Sequence, residues 1–203
     1  MAWPAVLPLA ALGYLIGSLP SGYWIGRSLA GRDVRASGSG NIGAANVARL
    51  FGLRYGLVVL ALDMAKGALP VALVVWLRPA TTPVDIQAVF LVALATLLGS
   101  CYSLFLRFQG GKGVAAAAGI SLVLWPKAAL CALLLFAAAA WRWRYVSLAS
   151  LIAAASLPLW LALFGYPSLY VGLSTLFALC ISLRHRSNIR ALVEGTERKW
   201  KAD

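Results

Sequence analysis

The chain has 203 residues, 62% of them hydrophobic and 12% charged, with a mean hydropathy of +0.84. That balance excludes a water-soluble domain, which needs far more polar surface, and fits a single polytopic helical domain over residues 1–203. The net charge of +12 is spread unevenly, and the unevenness sets an expected orientation.

In chain order, the apolar runs 4–26, 56–77, 84–106, 145–164 and 166–183 approach or exceed the roughly 20 residues that cross a bilayer. The first run lacks a basic leader and a small-x-small cleavage site, so it reads as a retained helix. Between Gly113 and Trp141 lie two shorter pieces, 114–125 and 128–141, separated by Pro126 and Lys127. The first of these reaches only about 18 Å at 1.5 Å per residue, so it is a short span or half of a broken helix. Counting both as a hairpin pair predicts an all-α protein with seven spans. Arg27, Arg32, Arg35, Arg49 and Arg54 then share a side with Arg107, Lys112, Arg142, Arg144 and the 184–201 tail. The opposite turns, 79–83 and Gly165, carry little base beyond Arg78 and Lys127. The positive-inside rule places the N-terminus outside and the C-terminus in the cytoplasm. Five spans would break that pattern. Cys101, Cys131 and Cys180 are isolated within apolar runs and read as packing residues, with no metal-site spacing.

Candidate chemistry gathers on the side assigned to the cytoplasm. In the loop Ser37-Gly38-Ser39-Gly40-Asn41-Ile42-Gly43-Ala44-Ala45-Asn46, the glycines permit positive φ and close backbone approach. Ser39, Asn41 and Asn46 add donors there, and Arg35 and Arg49 add charge; a plain connector would explain the glycines alone. Gly110-Gly111-Lys112-Gly113 opens into an apolar helix, so backbone N–H groups and one lysine make an anion site. It is not a nucleotide-binding P-loop, because Gly113 stands where a magnesium-holding Ser or Thr would be. Asp63 and Lys66 lie one turn apart within an apolar run, either as a self-neutralising pair or as a ligand contact. His185, the one histidine, sits between Arg184 and Arg186, whose charges disfavour its protonated form. Trp141, Trp143 and Tyr145 around Arg142 and Arg144 read as an interfacial belt at the lipid headgroups. Ser147 and Ser150 either line a site or bond to their own helix.

Several blocks taken together resemble the bacterial acyl-phosphate:glycerol-3-phosphate acyltransferases (PlsY). They are Gly17-Ser18 with Gly22, Arg35–Ala44 with Asn46 and Arg49, and Leu62-Asp63 with Lys66-Gly67 and Leu69-Pro70. Then come Phe108–Ala115, Arg144–Leu148, Arg184–Arg186 with Asn188-Ile189, Gly195 and Glu197. The resemblance implies seven membrane helices and transfer of a fatty acyl group from acyl phosphate to the sn-1 hydroxyl of glycerol 3-phosphate. The products would be lysophosphatidic acid and phosphate, in phospholipid biosynthesis at the bacterial cytoplasmic (inner) membrane. It places Ser39 with Arg49 in the active-site set, makes the Gly110–Gly113 loop with Lys112 the phosphate-binding element, has His185 and Asn188 support catalysis, and gives Ser147 a place in the substrate pocket and Glu197 a structural role. The expected catalytic set is thus Ser39, Lys112, His185 and Asn188, with Asp63 read as structural through its pair with Lys66. The chain departs from the family pattern at Ser100, usually histidine, and at Ala45, Ser103 and Ala116.

With both substrates anionic, the expected substrate-binding set is Arg35, Asn41, Arg49, Lys66, Gly110, Gly111, Gly113, Arg144 and Ser147. Lys112 and the glycine N–H groups are expected to hold glycerol 3-phosphate, while Ser39, Asn41 and Arg49 grip acyl phosphate. Acyl phosphate is already activated, so direct attack needs no covalent enzyme intermediate. No cofactor, metal or nucleic acid is expected, and a monomer in membrane lipid suffices. The His-x4-Asp pattern of acyl-CoA and acyl-carrier acyltransferases is absent, because Arg190 falls where the aspartate would be. Two alternatives remain: a divergent paralogue with another substrate, and a small phosphate-ester or anion transporter. The transporter predicts an internal repeat, and none is visible.

Overall fold

The computed structural model describes residues 3–77 and 83–200. Arg78, most of the 79–83 turn and Lys201 lie outside the described residues. Among the described residues every regular element is a helix: α1 (Trp3–Gly17), α2 (Ser21–Ala30), α3 (Ala44–Phe51), α4 (Leu53–Leu77), α5 (Pro83–Cys101), α6 (Val114–Leu124), α7 (Pro126–Trp143), α8 (Val146–Leu163), α9 (Ser168–Arg184) and α10 (Arg186–Val193). Short 3-10 turns, Val34–Ala36 and Leu104–Leu106, complete the list. Four candidate spans are long and apolar enough to cross a membrane, Val6–Ala30, Leu53–Leu77, Asp85–Leu106 and Val146–Leu163. The bent pair α9–α10 makes a fifth if taken as one span, and α6 is a shorter apolar helix. The chain divides into two compact units, Met1–Val123 and Leu124–Asp203.

In the first unit the expected 4–26 segment is not one helix: it breaks between Gly17 and Ser21. Pro20 stands at the break and has no N–H to continue the ladder. The last carbonyls of α1 would be orphaned in apolar surroundings. Three side chains donate to them instead: Ser100 Oγ to Gly17 O at 3.1 Å, Ser103 Oγ to Ser18 O at 2.6 Å and Lys66 Nζ to Leu19 O at 2.9 Å. Ser100 and Ser103 are buried. The positive ammonium also complements the negative end of the α1 dipole.

Small residues let the helices of this unit approach closely. A Cβ on Gly17 would collide with the Thr96 carbonyl, and one on Gly99 with the Tyr14 carbonyl, so α1 and α5 cross backbone against backbone. Gly67 of α4 meets the Ala116 carbonyl of α6, and Gly119 of α6 meets the Met64 carbonyl of α4. Such small-residue crossings are the usual packing solution where lipid removes the hydrophobic drive between helices. The outward face of α4 carries exposed Leu57, Val58, Leu60, Leu62, Leu69 and Leu73, as a lipid-facing helix does.

In the second unit α7, α8, α9 and α10 pack in sequence order. Trp125 is fully buried, with its ring 5.6 Å from Tyr170 edge to face and 6.2 Å from Phe177. Geometry of this kind adds to the burial of the rings themselves.

Gly67→Ala should lower the thermal midpoint in detergent by several degrees, because the new methyl meets backbone that cannot swing aside. Gly172→Ala, with nothing within 4 Å of the added carbon, should be neutral or stabilising by up to about 1 kcal/mol. Equal midpoints for the two variants would contradict the close α4–α6 crossing.

Candidate active site

The polar loop between α2 and α3 is a built structure rather than a slack connector. Its apolar underside, Val34, Ile42 and Val47, is buried with Val59 of α4 and Leu106. Its upper side, Ser37 to Gly40, is exposed. The side-chain amide of Asn46, 1% exposed, holds the two together. Asn46 Oδ1 accepts from the Ser39 N–H at 2.8 Å, and Nδ2 donates to the carbonyls of Val34, Ser37 and Asn41 at 3.1, 3.2 and 2.8 Å. Asn46 was expected to offer donors to a ligand; instead its amide is consumed by the loop's own backbone. Gly38 has φ +63° and packs so tightly on Asn46 Oδ1 that a Cβ there would overlap it. The outcome is Ser39 held at an exposed bend, with Arg49 one turn beyond Asn46 on α3 and half-buried.

Asn41 Oδ1 accepts from the Gly43 N–H at 2.8 Å, at the residue that opens α3. The same oxygen brings in the second loop. A Cβ on Gly111 would lie 3.9 Å from Asn41 Oδ1 and 3.7 Å from Ile42 Cγ1. Within the first unit, therefore, the two glycine loops are neighbours. Gly111 N–H donates to Ser100 O at 2.9 Å, and a Cβ on Gly110 would come within 2.6 Å of that carbonyl. Ser100 thus links the α1 break, through its hydroxyl, to this loop through its carbonyl. Gly110, Gly111 and Gly113 are buried and Lys112 is half-buried, at the N-terminus of α6. The preceding Arg107 and Phe108 both have positive φ, +52° and +62°, a strained conformation for residues with side chains.

Asp63 and Lys66 form the ion pair their spacing anticipates, at 2.8 Å. Ser21 Oγ also donates to Asp63 Oδ1. With Leu19 O on the ammonium as well, the group clasps the α1–α2 break, and this is where the structure puts Lys66. Arg35 donates to both carboxylate oxygens of Asp33, at 2.6 to 3.0 Å, and its guanidinium lies 5.5 Å from the Tyr23 ring centroid. Its charge is therefore balanced before any ligand arrives.

The second unit gathers the other residues. Glu197 Oε1 accepts from Ser147 Oγ at 2.6 Å and from Asn188 Nδ2 at 2.8 Å. One carboxylate in the tail thereby orients a serine of α8 and an asparagine of α10. Trp200 N–H donates to Arg144 O at 2.6 Å, strapping the tail over the start of α8. Arg144 itself is exposed and closes α7 with φ +59°. His185 is 2% exposed at the α9–α10 junction. Its Nδ1 lies 2.8 Å from Ile181 O. A carbonyl can only accept, so Nδ1 carries a hydrogen, which leaves Nε2 as the nitrogen that would accept a proton from a neutral imidazole. Ser150 bonds to Val146 O of its own helix at 2.8 Å, the second of the two options its sequence left open.

Ser21, Ser103 and Trp200 were not anticipated. The small polar run Ser18 to Gly22 inside an apolar segment is the signal that could have pointed to Ser21; the other two act through distant backbone and leave no local pattern.

The Asp33 carboxyl is held below the usual carboxylate range, first by hydrogen bonds from Arg35. The contribution is full above the ordinary carboxylate pKa and is lost as pH falls through the depressed one. Arg35→Gln should return Asp33 to the ordinary range, seen by carboxyl-carbon NMR titration. The accompanying stability loss should be no more than about 1 kcal/mol, as for a solvent-screened pair. An unmoved titration would contradict the pairing.

A family model described as glycerol-3-phosphate acyltransferase matches residues 7–195. The chain is 45% identical over 199 residues to a protein named glycerol-3-phosphate acyltransferase from Syntrophotalea carbinolica (strain DSM 2380 / NBRC 103641 / GraBd1), covering 97% of each. It is 47% identical over 192 residues to one of the same name from Myxococcus xanthus (strain DK1622), covering 95% of this chain and 98% of the relative. Among solved structures it resembles the glycerol 3-phosphate form of PlsY (YgiH), an integral membrane glycerol 3-phosphate acyltransferase. The TM-score is 0.91 at 37% identity, over 97% of this chain and 96% of that one. The lysophosphatidic acid form of PlsY matches with a TM-score of 0.86 at 35% identity, over the same shares. Matched along almost its whole length by model, relatives and folds alike, the chain belongs to the glycerol-3-phosphate acyltransferase family.

Proposed function

We propose that the protein transfers a fatty acyl group from acyl phosphate to the sn-1 hydroxyl of glycerol 3-phosphate, releasing lysophosphatidic acid and inorganic phosphate. One observation carries this reading beyond family membership: the two glycine loops lie side by side, Gly111 against Asn41 and Ile42. Bringing two phosphate-bearing substrates together is opposed by charge repulsion, and adjoining donor-rich loops offset it. Lys112 and the α6 N-terminus suit glycerol 3-phosphate, as backbone N–H groups and a helix dipole attract a phosphate. Ser39, Asn41 and Arg49 suit the acyl phosphate. Arg35, Lys66, Arg144, Gly110, Gly113 and Ser147 complete the proposed binding set. Arg35 and Lys66 would act there through the pairs already described.

The step conserves atoms simply. The acceptor hydroxyl oxygen bonds to the acyl carbon, the carbon–oxygen bond to phosphate breaks, and phosphate leaves with the electron pair. The hydroxyl proton passes to His185 Nε2 or to an oxygen of the donor's phosphate. Asn188, fixed by Glu197, is the companion of His185 in the second unit. No covalent intermediate on Ser39 is required, since the mixed anhydride is already activated. Positioning and charge stabilisation then supply most of the rate.

The proposed setting is the bacterial cytoplasmic membrane. Seven spans, an outside N-terminus and a cytoplasmic C-terminus put the basic loops at the inner face. The proposed active form is a single chain in membrane lipid.

Purified protein in detergent should release phosphate from palmitoyl phosphate only when glycerol 3-phosphate is present. Ligand binding without turnover would instead favour a transporter. Lys112→Ala should raise KM for glycerol 3-phosphate and lower kcat/KM by at least about tenfold, the scale of one charge-assisted contact; unchanged kinetics would reject that assignment. His185→Ala should lose about 10²-fold or more if the imidazole takes the proton. A rate within a few-fold of the parent would move the proton to the donor phosphate.

A further inference from the structure

The helix α10 carries two faces with different tasks. At about 100° per residue, Asn188, Ala191 and Leu192 fall together on one side, and Arg186, Ile189, Arg190 and Val193 on the other. Burial follows that division: the first three are half-buried and the other four are exposed. Val193 is 85% exposed and Ile189 38%, placing aliphatic side chains beside two exposed arginines. Basic residues flanking a short apolar stripe mark a helix that rests in the headgroup layer.

Position agrees with composition. Helix α9 is continuous with α10 through His185, and the two bend by 65°. For an α9 standing along the bilayer normal, the complement of that bend leaves α10 about 25° from the membrane plane. The neighbouring end of α7 displays Trp141, 83% exposed, and Trp143 at 47%, with Arg142 between them. The tie from Trp200 N–H to Arg144 O puts this pair at the same end of the unit as the tail.

Charge selects the occupant. Arg184, Arg186, Arg190, Arg198 and Lys199 face two acids in this segment, Glu194 and Glu197. The Glu197 carboxylate is taken by Ser147 and Asn188, and Glu194 meets Arg190 at a loose, exposed 4.0 Å. We propose that the outer face of α10 docks on anionic phospholipid headgroups, and that this docking sets the position of Asn188 on the opposite face. The docking stands by itself; its consequence for turnover rests on the acyl-transfer reading. Membrane charge then tunes the enzyme: an eight-residue helix without buried residues is held in place partly by the lipid surface beneath it.

The test compares amide hydrogen exchange across residues 186–193 in nanodiscs of phosphatidylcholine alone and of phosphatidylcholine with phosphatidylglycerol. Two cations at an anionic surface should slow exchange in the anionic discs by on the order of tenfold. The difference should vanish in the Arg186→Gln/Arg190→Gln double variant and shrink in Val193→Ser, both of which alter exposed side chains. Molar salt should also erase it. Equal exchange in the two lipids overturns the proposal, and so does equal protection by inorganic phosphate added to neutral discs, which would make the face a soluble-anion site. Phosphate release dependent on glycerol 3-phosphate, measured in the same discs, should be several-fold faster with phosphatidylglycerol for the parent and lipid-independent for the double variant. A protein inactive in every disc would remove the acyl-transfer reading while the exchange data still decided the docking.

Discussion

A backbone carbonyl that leaves a helix inside an apolar protein must find a donor, and water is not at hand to supply one. The first unit meets that demand with side chains at two places. At the α1–α2 break, Ser100, Ser103 and Lys66 each donate to one of three consecutive carbonyls. In the 34–46 loop, the Asn46 amide serves three more and accepts the Ser39 N–H. The break allows α2 to turn so that Gly22 packs under the Ile42 carbonyl. From there the loop sits on Val59 and Leu106 and meets the second glycine loop at Gly111. Remove those donors and buried carbonyls are left without partners at both places.

This explains how a glycine-rich loop can be a site at all. Glycines lower the cost of unusual backbone but give no rigidity of their own. Rigidity comes from the buried amide beneath and the apolar underside. A pre-organised loop places donors before the charged substrate arrives, which is how polar groups become useful to a reaction that moves charge. In the second unit a single carboxylate does comparable work, since Glu197 fixes Ser147 and Asn188 at once.

Much of this was legible in the residues, and the exceptions have a common cause. Long apolar periods predicted α4, α5, α8 and α9 to within a few residues, whereas Pro126 and Lys127, read as a separator between two short pieces, instead open α7. Asp63 and Lys66 were readable as a pair because one helical turn separates them. Their further partners, Ser21 and Leu19, were not, because those contacts join residues more than forty positions apart. Hydropathy ran straight through Ser18 to Pro20, since three residues do not interrupt an apolar window. From its sequence context Asn46 is a donor for ligand; burial makes it a donor for the backbone. Composition says that an asparagine has hydrogens to give; only packing says to whom.

The most direct measurement is the glycerol 3-phosphate-dependent release of phosphate by Asn46→Ala, with its thermal midpoint recorded alongside. Emptying that buried amide strands carbonyls at a cost of about 1–3 kcal/mol. The account requires kcat/KM to fall by at least about tenfold in a protein that still folds at low temperature. Parent-like kinetics would contradict it, since Ser39 and its neighbours would then need no internal scaffold.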